Sequence, residues 1–150
     1  MGECGEMTIH YYLSGPMSGL PQYNFPMFHR VAAALRALGY VVISPAELDS
    51  AAIRAEAQRS PDGAECDHTG RIGGETRGEI LARDVRVIHD EAQGIIFLPD
   101  WERSRGARLE AFAALLQKDF EFKRWDEHIG LPVPVARRSI QCALHMAWEA

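Results

Sequence analysis

A mostly parallel β-sheet covered by helices, an α/β architecture, is the fold class this sequence predicts, and three features point to it. Residues 8–13, 40–43 and 95–98 are short runs rich in β-branched and aromatic residues, each closed by a turn-forming residue. Stretches with apolar residues at helical spacing separate these runs, and strands that alternate with helices imply parallel pairing through crossover connections. The 150 residues, 47% of them hydrophobic, suffice for one core and are too few for two ordinary domains.

Residues 8–13 run straight into Ser14-Gly15-Pro16, a strand entering a tight turn and the first βα junction. Asn24 is placed to cap the next helix and Pro26 suits its first turn. Phe28, Val31, Ala32, Leu35 and Leu38 then recur on one face until Gly39. Tyr40-Val41-Val42-Ile43, bounded by Gly39 and Pro45, has the nearly continuous apolar character of a strand buried on both faces. From Asp49 to Arg77 the periodicity fades into polar sequence containing Gly63, Gly70, Gly73 and Gly74, an irregular excursion or a partly ordered lid. Pattern returns at Glu79, with Ile80, Leu81, Val85 and Ile88 on one helical face, and Ile95-Ile96-Phe97-Leu98 after Gly94 is the clearest strand. A polar loop from Asp100 to Gly106 leads into a helix expected to turn Leu109, Phe112, Ala113 and Leu116 inward. A strand over 120–125 and an amphipathic helix carrying Ala136, Ile140, Ala143, Leu144 and Ala147 complete the chain.

Composition narrows the function. A net charge of −5 gives no general attraction for a phosphate backbone, so nucleic acid is not the expected partner. Cys4, Cys66 and Cys142 are odd in number and far apart, without the paired spacing of a disulfide framework or a zinc site. His68 near Cys66 and His145 near Cys142 are expected to be ordinary residues, and no metal or cofactor is called for. No apolar run approaches the ~20 residues that span a bilayer, and the first eight residues lack a signal-peptide pattern. The expected setting is the cytoplasm, away from membranes.

Ligands of open parallel sheets bind beyond the carboxyl ends of the strands, which directs attention to two loops. Ser14-Gly15-Pro16-Met17-Ser18-Gly19 combines hydroxyls with glycines that permit close backbone approach, although such a turn can also be only a turn. Asp100-Trp101-Glu102-Arg103-Ser104-Arg105-Gly106 precedes a helix N-terminus, where unpaired N–H groups favour an anion. Ser104 and the Gly106 backbone are placed to cradle a phosphate with Arg105 or Arg103 adding charge; the alternative is that Ser104 caps the helix while the arginines are solvated. Glu110, early in that helix, is either a surface group compensating the helix dipole or a carboxylate held beside the anion site. Asp84 sits among Leu81, Val85 and Ile88, with an ion pair to Arg83 or Arg86 as its plain alternative.

Tyr12-Leu13-Ser14-Gly15-Pro16-Met17 and Ser104-Arg105-Gly106-Ala107-Arg108-Leu109-Glu110 resemble the nucleoside 2-deoxyribosyltransferase superfamily. Together with Tyr-Asn-Phe-Pro, Pro-Ala-Glu and Leu-Pro-Asp-Trp-Glu-Arg, they look most like a largely uncharacterised branch found in bacteria and their phages, over residues 9–116. The resemblance implies a flavodoxin-like or Rossmann-like three-layer sandwich and a catalytic glutamate that takes the sugar from the base, a position matched by Glu110. Similarity to 2'-deoxynucleoside 5'-phosphate N-hydrolases implies that Ser104 and Gly106 hold a 5'-phosphate. It also implies that Asp84 acts on sugar or leaving group, that Tyr23 contacts sugar or base, and that the chain forms a homo-oligomer. The excursion 49–77 and the segment after Asp119 have no counterpart in that pattern.

Glycosidic cleavage develops positive charge on the sugar, which a carboxylate such as Glu110 stabilises or traps covalently, while an acid such as Asp84 protonates the departing base. The expected function is therefore N-glycosidase or deoxyribosyltransferase on a nucleotide or nucleoside, bound through Ser14, Gly15, Pro16, Met17, Tyr23, Ser104, Arg105 and Gly106. A non-catalytic nucleotide-sensing module and an NAD glycohydrolase are the alternatives.

Overall fold

The computed structural model describes residues 7–64 and 71–149. Strand β1 (His10–Ser14) lies inside the sheet, between β2 and β5, and is followed by helix α1 (Phe25–Ala37) and strand β2 (Val41–Ile43). Helices α2 (Pro45–Leu48) and α3 (Ala51–Arg59) come next, then a small hairpin of β3 (Arg71–Ile72) and β4 (Glu75–Thr76). Helix α4 (Arg77–Asp90), strand β5 (Gly94–Phe97), helix α5 (Arg105–Leu115), strands β6 (Glu121–Asp126) and β7 (Leu131–Pro134) and helix α6 (Arg137–Glu149) complete the order.

The main sheet runs β2-β1-β5-β6-β7. All pairs are parallel except β6 with β7. This is the flavodoxin-like order, in which the connections leave β1 and β5 toward opposite faces and open a crevice beyond their carboxyl ends. The fold is thus the mostly parallel α/β sandwich expected.

Strand alternation sorts the core into two layers. Tyr11, Leu13, Ile96 and Leu98 face a cluster with Phe28, Val31 and Leu35 of α1, while Tyr12, Ile95 and Phe97 face Val87, Ile88, Ala107, Ala111 and Ala114 of α4 and α5. At the first βα junction a Cβ on Gly15 would lie 2.7 Å from Leu98 Cβ, so only glycine lets β1 end this close to β5.

Several elements differ from the sequence expectation. Strand β2 is an edge strand rather than one buried on both faces, and Val41 is exposed. The described part of 49–77 holds a regular helix and a hairpin: α3 is capped by Ser50 and shows only Ile53 and Ala57 to the core, too few apolar positions to announce it. Gly70 lies outside the described residues. Helix α4 begins at Arg77, closed by a reciprocal cap in which Thr76 Oγ1 accepts from Glu79 N and Glu79 accepts from Thr76 N. Asn24 does not cap α1 with its side chain; it donates to the Pro16 carbonyl at 2.9 Å and so ties the first loop to the helix start. Leu38 is exposed. Strand β7, with two prolines, was not expected, and its place on the sheet edge suits residues that cannot donate to a ladder.

The largest correction concerns α5. Its inward face is Ala107, Glu110, Ala111 and Ala114, with Ala113 also buried, while Leu109, Phe112 and Leu116 are exposed. Small side chains let the helix lie close against the sheet, and the large apolar ones project from the other side.

Candidate functional site

The close packing of α5 determines where Glu110 stands. It occupies the alanine face, only 6% exposed, above the end of β1. Tyr12 and Ser14 are two apart on β1 and therefore share the face turned toward α5. Ser14 Oγ donates to Glu110 Oε2 at 2.5 Å and the Tyr12 hydroxyl donates to Oε1 at 3.2 Å.

Asp84 reaches the same point from the inward face of α4, in line with Val87 and Ile88. It is 4% exposed and takes both Nε and an Nη of Arg83 on one oxygen, at 2.9 and 2.6 Å. Arg83 also donates to Asp49 at 2.6 Å, just after α2. The ion pair with Arg83 is therefore present, and it coexists with burial at the site instead of holding Asp84 on a solvated face. Tyr12 favours the ionised form of Asp84 as well as that of Glu110.

Burial dominates the electrostatics. It pushes the Glu110 carboxyl up to about 8, helped by the nearby Asp84 charge and opposed by the hydroxyls of Ser14 and Tyr12. Asp84 is pushed up to about 6 by burial, against the pull of Arg83. Burial raises Asp49 too, again opposed by Arg83, and the Tyr12 phenol is held well above its ordinary value by burial and Glu110. Between about 6 and about 8 the Glu110–Asp84 pair thus carries one proton and one negative charge.

These groups border a pocket that is partly open to solvent. Gly15, Met17, Tyr23, Ser104 and Gly106 line it together with Glu110 and Asp84. Tyr23 sits in a run of three left-handed residues, Gln22, Tyr23 and Asn24, with φ of 53°, 51° and 59°. Such a turn is strained for side-chain-bearing residues, and it presents the buried Tyr23 to the pocket while its hydroxyl donates to the Ala64 carbonyl at 3.0 Å.

Three expected contacts are placed differently. Ser104 Oγ accepts from Ala107 N at 3.3 Å, so this serine caps α5 while also lining the pocket. Arg105 is exposed and borders an outer groove with Leu109, Phe112 and Trp148. Pro16 is not among the lining residues and contributes its carbonyl to Asn24. Arg77 at the start of α4 lines the pocket and donates to Ser18 Oγ at 3.2 Å.

The sequence reading missed Tyr12, Asp49, Arg77 and the Arg83 bridge between carboxylates. Strand alternation from Ser14 was enough to find Tyr12. Among the described residues no group of three or more histidine, cysteine, aspartate and glutamate residues could hold a metal ion. Cys142 is exposed and His145 lies 3.3 Å from Glu149, whereas Cys4, Cys66 and His68 lie outside the described residues. No described helix is long and apolar enough to cross a membrane.

Residues 9–67 match a family described as a domain of unknown function, DUF4406. The match takes in β1, the first loop and Asp49, and ends before Asp84 and Glu110. No curated protein and no solved structure matches the chain.

Proposed function

We propose that the chain cleaves or exchanges the N-glycosidic bond of a nucleoside 5'-monophosphate, with Glu110 as nucleophile. The observation that carries this reading is a buried carboxylate, pinned by the hydroxyls of Tyr12 and Ser14, at the open end of a parallel sheet and on the border of a pocket that also reaches the start of α5.

In the reactive form the shared proton, which rests on the more strongly raised Glu110, has passed to Asp84 and left Glu110 ionised. A Glu110 oxygen bonds to the anomeric carbon as the bond from that carbon to the base nitrogen breaks. The bonding pair leaves with the base, which takes the proton from Asp84. Water or a second base then attacks the same carbon and frees Glu110, giving a hydrolase or a transferase. The 5'-phosphate is assigned to the start of α5, at Ser104 and Gly106, with Arg77 on the same pocket supplying positive charge in the place expected of Arg105.

A second copy of the chain is assigned to the exposed apolar face of α5 and α6, where Phe112, Leu116, Met146 and Trp148 project. Sedimentation of the wild type against Phe112→Glu checks this, with a lower mass expected for the variant. The exposed Cys142 thiol accords with a reducing cytoplasm.

The test of function is incubation with a set of nucleoside 5'-monophosphates, with and without an acceptor base, followed by chromatography. Released or exchanged base is expected from the wild type and not from Glu110→Gln. Equal product from both proteins would remove Glu110 from the chemistry.

A further inference from the structure

The groups along the pocket stand in a fixed order. Ser104 and Gly106 occupy the start of α5, and Glu110 follows one turn later. Asp84 lines the same pocket as Glu110, and Arg83 connects Asp84 to Asp49. Asp49 immediately precedes Ser50, the cap of α3, and Ile53 of α3 borders the pocket with Ile72 of the hairpin. An anion end, a nucleophile, an acid, a second carboxylate and an apolar wall thus follow one another. In a nucleotide laid along that line, the base falls between Asp49 and the two isoleucines.

Asp49 has an oxygen to offer there. It is 6% exposed, its Oδ1 takes Arg83, and its Oδ2 accepts no hydrogen bond from the described residues. That oxygen is not sealed in the core: Asp49 lines the pocket, and among the described residues the buried polar side-chain atom without a partner is Ser44 Oγ. Arg83 on Oδ1 opposes the protonation that burial favours, and in its ionised form the Asp49 carboxylate can only accept hydrogen bonds. The opposing wall is fixed in place. A Cβ on Gly73, whose φ is 55°, would lie 2.5 Å from Ile53 N, and Gly73 N donates to Glu56 at 2.7 Å, so the hairpin seats directly on α3.

We propose that this end of the pocket reads the leaving base and selects one bearing an exocyclic amino group, with the ring against Ile53 and Ile72 and the amino group donating to Asp49. The inference rests on the nucleotide reading above. A keto oxygen in the same place would face a carboxylate, leaving two buried acceptors opposed and neither satisfied, the arrangement that discriminates most strongly between isosteres.

The experiment uses the full chain carrying Glu110→Gln, so that nucleotides bind without turnover, and calorimetry with two matched pairs. These are the 5'-monophosphates of deoxycytidine against deoxyuridine and of deoxyadenosine against deoxyinosine. For whichever ring size fits, the amino member should bind tighter by on the order of 100-fold. Adding Asp49→Asn, whose amide presents either a donor or an acceptor, should collapse that ratio to about threefold or less. Circular dichroism verifies folding, and Asp49→Glu, which keeps a charge for Arg83 but shifts the oxygen by a methylene, should reduce the ratio if Asn is not tolerated. Equal affinity within both pairs overturns the inference while leaving nucleotide binding intact. Binding of none of the four overturns the nucleotide reading and this inference with it.

Discussion

The Ser14 hydroxyl and the Glu110 carboxylate meet at 2.5 Å, joining the last residue of β1 to the second turn of α5. This bond favours the ionised form of Glu110 against the burial that raises it. A hydrogen bond to a charged group contributes about 1.5–3 kcal/mol. Ser14→Ala is therefore expected to lower kcat/KM at pH 7 by about 10-fold or more, since each 1.36 kcal/mol is one pKa unit. Initial rates of base release measure it.

The pH dependence of the reaction follows from the shared proton. Below about 6 both carboxyls of the pair are protonated and no nucleophile exists; above about 8 both are ionised and no proton remains for the base. A plot of kcat/KM against pH should therefore be bell-shaped, with its maximum between these values. Asp84→Asn leaves Glu110 to titrate alone, lowered from about 8 by loss of the Asp84 charge but still raised by burial, so the acidic limb should lie above that of the wild type, between about 6 and about 8. The alkaline limb should vanish, and the maximal rate should fall by about 10²–10⁴-fold. An unchanged profile in Asp84→Asn would exclude the pair as the source of both limbs.

Stability should move opposite to nucleophile formation. The Glu110 carboxyl rises from an ordinary 4.5 to about 8 in the folded state, so the folded protein holds that proton more tightly. The stabilisation is complete below about 4.5 and is lost as pH climbs through about 8. Glu110→Gln cannot ionise, and its stability relative to wild type should grow between pH 5 and pH 9, by about 4 kcal/mol. Thermal melts at the two pH values provide the comparison, and a constant difference would show that Glu110 does not ionise against burial.

Gly15 sets the spacing of β1 and β5 at the pocket. With Leu98 Cβ 2.7 Å from a Cβ placed there, Gly15→Ala must displace the strand ends. A loss of about 1–3 kcal/mol in denaturant unfolding is expected, together with weakened activity. Gly19→Ala meets no atom within 4 Å and tests a backbone preference alone, its φ being 81°.

Much of this site was legible from residue types. Ser14, Gly15, Ser104, Gly106 and Glu110 stood out as small residues, hydroxyls and an acid after strands, where a turn, a cap or dipole compensation serves equally well, and the resemblance singled out Glu110 and Asp84. Helix α5 was misread because large apolar residues normally mark the inward face, whereas here Leu109, Phe112 and Leu116 project and alanines pack. Tyr12 was hidden by its strand, where an aromatic side chain serves a core equally well, and only its pairing with Ser14 across one pleat reveals its use. Asp49 and Arg83 were illegible in their roles, since a bridge between α4 and the residue after α2 exists only once both helices are in place. Arg105 illustrates the reverse: its position in the loop suggested an anion site, but α5 turns it away from the pocket.

Covalent attack by Glu110 can be observed directly by intact-protein mass spectrometry after rapid acid quench of the wild type with a turned-over nucleoside 5'-monophosphate. An added mass equal to the sugar 5'-phosphate without its base, located to the peptide containing Glu110 and absent from Glu110→Gln, is the expected result. Base release at full rate with no such adduct in wild type, or with the adduct on another residue, would contradict it.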